Sequence, residues 1–215
     1  MDPKYLLVAA VVFVMGWFAF GVIYNLRLGD RMLRWIQSGL PRVGERTKLR
    51  WLGTSVVELA IEKARAPFKK LDTLFVLSPR DVPWMWILAS YQGRRDTLIF
   101  RAHLIRQPSL EFDLADPISW TGRMVLRQST ARGWQSKPYR NLQLLTPPGK
   151  VAAVEDALRQ FDAPIKRLAP TLWRFSLRRE VPHLEVHLAF PDRNTNAVQF
   201  IESLRNLAQL IDEQR

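Results

Sequence analysis

Near its N-terminus the chain carries nineteen consecutive uncharged residues, from Leu6 to Tyr24. As an α-helix, the segment LLVAAVVFVMGWFAFGVIY would span roughly 28 Å, which matches the hydrocarbon core of a bilayer. A cleaved signal peptide is the alternative, but this segment is longer than the apolar part of typical signal peptides, and no small-residue cleavage site follows Tyr24. The sequence therefore predicts a membrane anchor, with the anchor residues Leu6, Val12, Trp17, Phe20 and Tyr24.

Charged residues flank the predicted anchor unequally. Lys4 and Asp2 precede it and offset each other, whereas Arg27, Arg31 and Arg34 follow it closely. Basic residues next to a span tend to stay on the cytoplasmic side. We therefore expect a single-pass membrane protein with its N-terminus outside and its C-terminal domain in the cytoplasm.

Residues 25–39 continue with a helical period that places Met32, Trp35 and Ile36 on one face. Two interpretations are open: an interfacial helix that lies on anionic lipid, or a rigid continuation of the anchor. Glycines and a proline at 39–46 then predict a linker. The predicted divisions are an anchor (1–25), a basic juxtamembrane helix and linker (26–46) and a cytoplasmic domain (47–215). The candidate lipid-surface residues are Arg27, Arg31, Arg34 and Trp35.

Beyond the linker the hydrophobic period changes from a helical one to two, which is typical of strands. The sequence predicts strands over 55–63, 71–77, 84–91 and 97–105, with residues 92–95 as the turn of a hairpin between the last two. Alternation continues at 110–114, and weaker strand patterns follow at 122–126 and 141–145. A second hairpin is predicted from strands at 172–177 and 184–190.

Helical periods are clear in two segments of the domain. One follows Pro147, Pro148 and Gly149 and runs over 151–161, and the other closes the chain over 194–213. The predicted fold class is α+β: an N-terminal transmembrane helix, then a mostly antiparallel sheet with helices packed on one face.

Charge and composition limit the chemistry of the chain. The formal net charge is +12, so the protein should attract polyanions, namely nucleic acid, a ribosome surface or anionic lipid. The chain has no cysteine, which excludes disulfides, thiolate metal sites and cysteine nucleophiles.

Catalytic and metal-binding motifs are weak or missing in the sequence. His183 and His187 would lie roughly 13 Å apart on a strand, too far to share one ion. His103 has no evident partner, and the common nucleotide-binding and hydrolase fingerprints do not occur. We expect no enzymatic activity, no metal, no cofactor and no small-molecule substrate.

The segment from Trp120 to Lys150 is rich in basic residues and has no acidic residue. Two of its aromatic residues stand among the cations, and such rings can stack on bases or lie at a lipid interface. A solvated basic loop whose aromatics fill the core would give the same pattern. The candidate polyanion-binding residues are Arg123, Arg127, Arg132, Lys137, Arg140, Lys150, Trp134 and Tyr139.

The order of segments resembles the calumin-like family, whose members are single-pass partners of the endoplasmic-reticulum intramembrane chaperone and translocon. The likeness covers the anchor, the basic stalk and the segments LDTLFVLSPRDV, NLQLLTPPGKVAAVEDALRQF and LEVHLAFPDRNTNAVQFIESLRNLAQLID. It implies a non-enzymatic partner in membrane-protein insertion or folding. The sequence shows neither the acidic lumenal segment nor the basic coiled-coil tail of that family, so a ribosome contact through such a tail is not implied.

Two functions follow as hypotheses. The first is a membrane-anchored, non-enzymatic adaptor or chaperone-like subunit that meets a membrane-protein partner near the ribosome or translocase. The second is a membrane scaffold or regulator that binds anionic lipid.

Overall fold

The computed structural model describes residues 2–192 and 195–213. The first element is a single uninterrupted helix, α1 (Pro3–Gln37), which contains the predicted anchor and the predicted juxtamembrane helix. Its first half is exposed, and the helix is long and apolar enough to cross a membrane by length and composition. Its second half packs against the domain through one face, formed at helical spacing by Gly21, Asn25, Gly29, Met32 and Ile36.

Across the described residues, nine strands form one sheet in which every neighbouring pair is antiparallel. The spatial order is β1-β2-β3-β4-β9-β8-β5-β7-β6. The strands are β1 (Thr47–Trp51), β2 (Val56–Ile61), β3 (Phe68–Val76), β4 (Thr97–Leu104), β5 (Phe112–Ala115), β6 (Gln135–Tyr139), β7 (Leu142–Thr146), β8 (Leu172–Leu177) and β9 (Leu184–Ala189).

Helices connect the strands and cover the sheet. A short 3-10 helix, Leu40–Arg42, follows α1 directly. The later helices are α2 (Pro83–Tyr91), α3 (Trp120–Ala131), α4 (Val151–Gln160), α5 (Asp162–Leu168) and α6 (Ala197–Glu213).

The two faces of the sheet differ in character because side chains alternate along each strand. One face is apolar, and its residues share the main core with the end of α1 and with α4, α5 and α6. The opposite face is covered by α3 at β5 and β7, where Val125 packs against Ala115 and Leu145. Elsewhere on that face charged side chains replace the apolar ones.

The predicted α+β fold class, with a long apolar helix followed by an antiparallel sheet, is confirmed. The prediction places helices on one face of the sheet, whereas α3 packs on the second face. Two predicted strands are wrong. Residues 84–91 lie in α2 and residues 122–126 lie in α3. Helix α2 begins with a proline in its first turn. Helix α3 is capped by Ser119, whose side chain accepts from the Gly122 backbone N–H at 3.0 Å.

Candidate functional site

The charged face of the sheet holds a network of ion pairs across its central strands. Register places Arg101 of β4 beside Glu185 of β9, and Arg174 of β8 beside His187 of β9. The Asp113 carboxylate of β5 is fully buried and accepts from Arg174 at 3.4 Å and from Arg178. Three guanidinium groups therefore face two carboxylates over four adjacent strands.

Glu185 lies at the centre of this network. Arg174 and Arg101 approach its carboxylate at 3.4 and 3.5 Å, and His187 hydrogen-bonds to it. Burial acts to raise the pKa of the Glu185 carboxyl, but the His187 hydrogen bond and the neighbouring positive charges outweigh burial and lower this pKa to about 2. The group is ionised at neutral pH.

His187 is buried in the same network. Burial lowers the pKa of its imidazole, and the charges of Arg174 and Arg101 lower it further, against the opposing effect of Glu185. The imidazole is therefore neutral at neutral pH. A neutral histidine and a tightly paired carboxylate suit binding and orientation better than proton transfer, because each already has its partner.

A cavity of about 340 Å³ opens beside the network, between the sheet and α3. Apolar residues predominate in its wall, together with Arg94, Arg95, Arg174 and His187. The Arg94 guanidinium lies 4.2 Å from the centre of the Trp120 ring, and Arg95 is exposed with no ion pair among the described residues. The cavity thus combines an apolar wall with two guanidinium groups, those of Arg94 and Arg95, that pair with no carboxylate in the described part of the chain, an arrangement suited to binding.

No protein-family model matches this chain, and no curated protein matches it. Within the described residues, no group of three or more histidine, aspartate or glutamate side chains could hold a metal ion.

Helix α1 joins the domain at the same end of the sheet as the cavity, because both involve residues that follow β3. Asn25 donates to the Ser78 carbonyl at 3.1 Å and accepts from Arg80 at 3.2 Å. Arg80 also forms a two-bond ion pair with Asp96, at 2.7 and 2.9 Å, and its guanidinium lies 4.8 Å from the centre of the Tyr24 ring. These contacts fix α1 relative to the sheet.

The predicted polyanion-binding residues do not lie on one surface. Arg123, Arg127 and Arg132 belong to α3 or its C-terminal cap and are exposed on the second face of the sheet. Lys137 pairs with Glu155 of α4, and Arg140 pairs with Asp162 of α5, on the opposite face. Lys150 precedes α4. The segment is continuous in sequence, but the sheet divides it between two faces.

The aromatic residues of this segment are half-buried. Trp134 packs against the small core under α3, with the Arg178 guanidinium 4.5 Å from its ring centre. Tyr139 packs against the main core, where burial raises the pKa of its phenol. Neither ring is presented beside the α3 arginines as a flat exposed platform.

Among the predicted anchor residues, Leu6, Val12 and Phe20 are exposed, as side chains in lipid would be. Among the candidate lipid-surface residues, Arg27, Arg31 and Arg34 are exposed. Trp35 instead packs edge-on to Phe200 of α6 and donates its indole N–H to the Thr195 carbonyl at 2.7 Å.

Apart from His187, the residues of the charged network and of α2 are ones that the sequence does not single out. The network residues lie in different strands that register brings together, and no local spacing reveals them. Alternation within β9 does place Glu185 and His187 on the same face. This alternation was the one available signal.

Proposed function

We propose that this protein is a membrane-anchored, non-enzymatic adaptor that holds a partner at a fixed position beside a bilayer. The observation that carries this proposal is the rigid union of anchor and domain through the buried face of α1. A flexible tether would let the domain search a wide volume, whereas a packed helix fixes its distance and orientation.

The anchor function is supported by contacts as well as by composition. Gly21 lies against the backbone of Arg80, and Trp17 donates its indole N–H to the Arg80 carbonyl at 2.9 Å. Removal of a leader ending near Tyr24 would strip these contacts from the domain. The arginines after Tyr24 favour a cytoplasmic domain and an external N-terminus.

The proposed partner class rests on charge and on the resemblance of the sequence to the calumin-like family. α3 presents Arg123, Arg127 and Arg132 on its exposed side, which suits an anionic surface such as ribosomal RNA or an acidic protein segment. The resemblance implies the ribosome, the translocase and membrane proteins during insertion as partners.

Extraction of the full chain in mild detergent, followed by identification of co-purifying proteins and RNA, tests the adaptor function. The double variant Arg127→Glu/Arg132→Glu should weaken retention of an anionic partner about ten-fold or more at physiological salt. The double variant Arg46→Glu/Lys69→Glu makes the same change in net charge on exposed residues near β1 and β3, and should retain the partner. Equal loss in both variants, or no specific partner, contradicts the proposal.

A second function, an anionic-lipid-binding scaffold, is favoured by the arginines at the C-terminal end of α2. Arg123 donates to the Gln92 carbonyl at the end of α2, next to Arg94 and Arg95. Under this function, native mass spectrometry of the extracted protein should find anionic phospholipid retained by the wild type and lost from Arg94→Glu/Arg95→Glu. Retention of anionic lipid by the variant would contradict it.

A further inference from the structure

The helix α2 exposes apolar side chains instead of burying them. Residues 82–92, VPWMWILASYQ, contain no charge, and within α2 Ala89 is buried and Trp86 half-buried. The other large side chains are at least half exposed, and Tyr91 is 90% exposed. These exposed residues are Trp84, Met85, Ile87, Leu88 and Tyr91. In water such a surface would be costly, which indicates an apolar environment.

The contacts of α2 with the anchor set its depth. The Trp86 and Trp17 rings lie 5.8 Å apart, and the chain entering α2 crosses α1 at Gly21. Trp17 is inside the uncharged run of α1. From Leu6 to Trp17 the helix rises only about 17 Å, whereas a bilayer core is about 30 Å thick. The hydrocarbon must therefore extend past Trp17, and α2 lies at that depth.

Charged residues bracket α2 at a level that suits lipid head groups. Arg80 and Asp81 precede the helix, and Arg94 and Arg95 follow it. Arg80 lies over Tyr24, the last residue of the uncharged run and about 11 Å further along α1 than Trp17. Arg94 and Arg95 line one pocket together with Tyr24 and Arg80. The helix is thus apolar beside the uncharged run of α1, and the guanidinium groups at its two ends lie near Tyr24.

We propose that α2 is embedded in the membrane leaflet next to the anchor, as a second, non-spanning membrane element. Lipid acyl chains cover the exposed apolar side chains of α2, and the arginines at its two ends lie at the head groups. This inference rests on the anchor in the proposed function, and it adds that the domain itself is seated in the bilayer.

The test uses the full chain, which has no native cysteine, reconstituted into phosphatidylcholine vesicles that contain doxyl-labelled phosphatidylcholine. A polarity-sensitive fluorophore is attached at Leu88→Cys, at Phe18→Cys in the anchor, and at Val181→Cys. Val181 is a matched control because it is 60% exposed, as Leu88 is 56% exposed, but it lies in the β8–β9 turn at the opposite end of the sheet.

We expect the probes at 88 and 18 to emit at shorter wavelength and to be quenched by the doxyl lipid to a similar extent, and the probe at 181 to be unquenched. Met85→Cys repeats the measurement one turn earlier, so that misfolding at one position cannot decide the result. If the probes at positions 85 and 88 behave like the probe at 181 while the probe at 18 is quenched, the inference is overturned and the anchor stands. If 18 is unquenched as well, the anchor fails, and the inference fails with it.

Discussion

Glu185 is a half-buried carboxylate that His187, Arg174 and Arg101 contact. Its pKa in the folded protein is about 2, below the ordinary value of 4.5. A lowered pKa means that the unfolded chain takes up the proton first, so its contribution to stability is full above pH 4.5 and is lost as the pH falls toward 2. Between pH 4.5 and pH 2, protonation of Glu185 lowers the free energy of unfolding by about 3 kcal/mol.

We expect Glu185→Gln to be destabilised relative to the wild type above pH 4.5, and the difference between the two to shrink as the pH approaches 2. Thermal unfolding of the detergent-solubilised protein at a series of pH values measures this difference. Glu45→Gln serves as the control, since the exposed Glu45–Arg65 pair at 3.5 Å should contribute about 0–1 kcal/mol. A difference between wild type and Glu185→Gln that does not vary with pH would contradict the assignment.

At the scale of elements, the junction between α1 and the domain depends on a glycine. A Cβ atom at Gly21 would come within 2.3 Å of the Arg80 carbonyl oxygen, whereas a Cβ at Gly16 would meet nothing within 4 Å. Both residues lie in the same helix and in the same uncharged run. They differ in whether the domain approaches the helix backbone.

Gly21→Ala should therefore destabilise the docked domain by about 1–3 kcal/mol through overpacking, and Gly16→Ala should be neutral or slightly stabilising. Thermal unfolding in detergent measures the first effect, and limited proteolysis between α1 and β1 shows whether the domain has separated from the helix. Equal behaviour of the two variants would mean that α1 does not pack on the domain through this face.

Helices α2 and α3 also show where local sequence patterns mislead. The run at 84–91 is apolar throughout and rich in aromatics, and a short run of this kind does not distinguish a strand from a helix by its period. Tertiary contacts decide between the two structures. In the helix, Trp86 packs on Trp17 of α1, and the side chains on the other side of α2 are exposed. The strands at 172–177 and 184–189, which do alternate, were predicted closely.

For the whole molecule, the proposed function implies one orientation, with the N-terminus outside and the domain in the cytoplasm, because arginines follow the uncharged run. The chain lacks cysteine, so Lys4→Cys and Asn141→Cys each introduce a single exposed thiol. Position 4 precedes the predicted anchor and position 141 follows it. In intact cells a membrane-impermeant maleimide should label position 4 but not position 141, and permeabilisation should make position 141 accessible. Labelling of position 141 in intact cells would reverse the proposed orientation.

The amino-acid sequence by itself determined the long apolar helix, the α+β class and the basic charge of the chain. Each of these depends on composition or on a period within a few turns or strands. The tertiary structure alone decided that the basic segment 120–150 divides between two faces of the sheet, and that Asp113, Arg174 and Glu185 form one network. Strand register joins residues as far apart as Thr97 and Ala189, which are 92 positions apart in the sequence, and no local period carries that information.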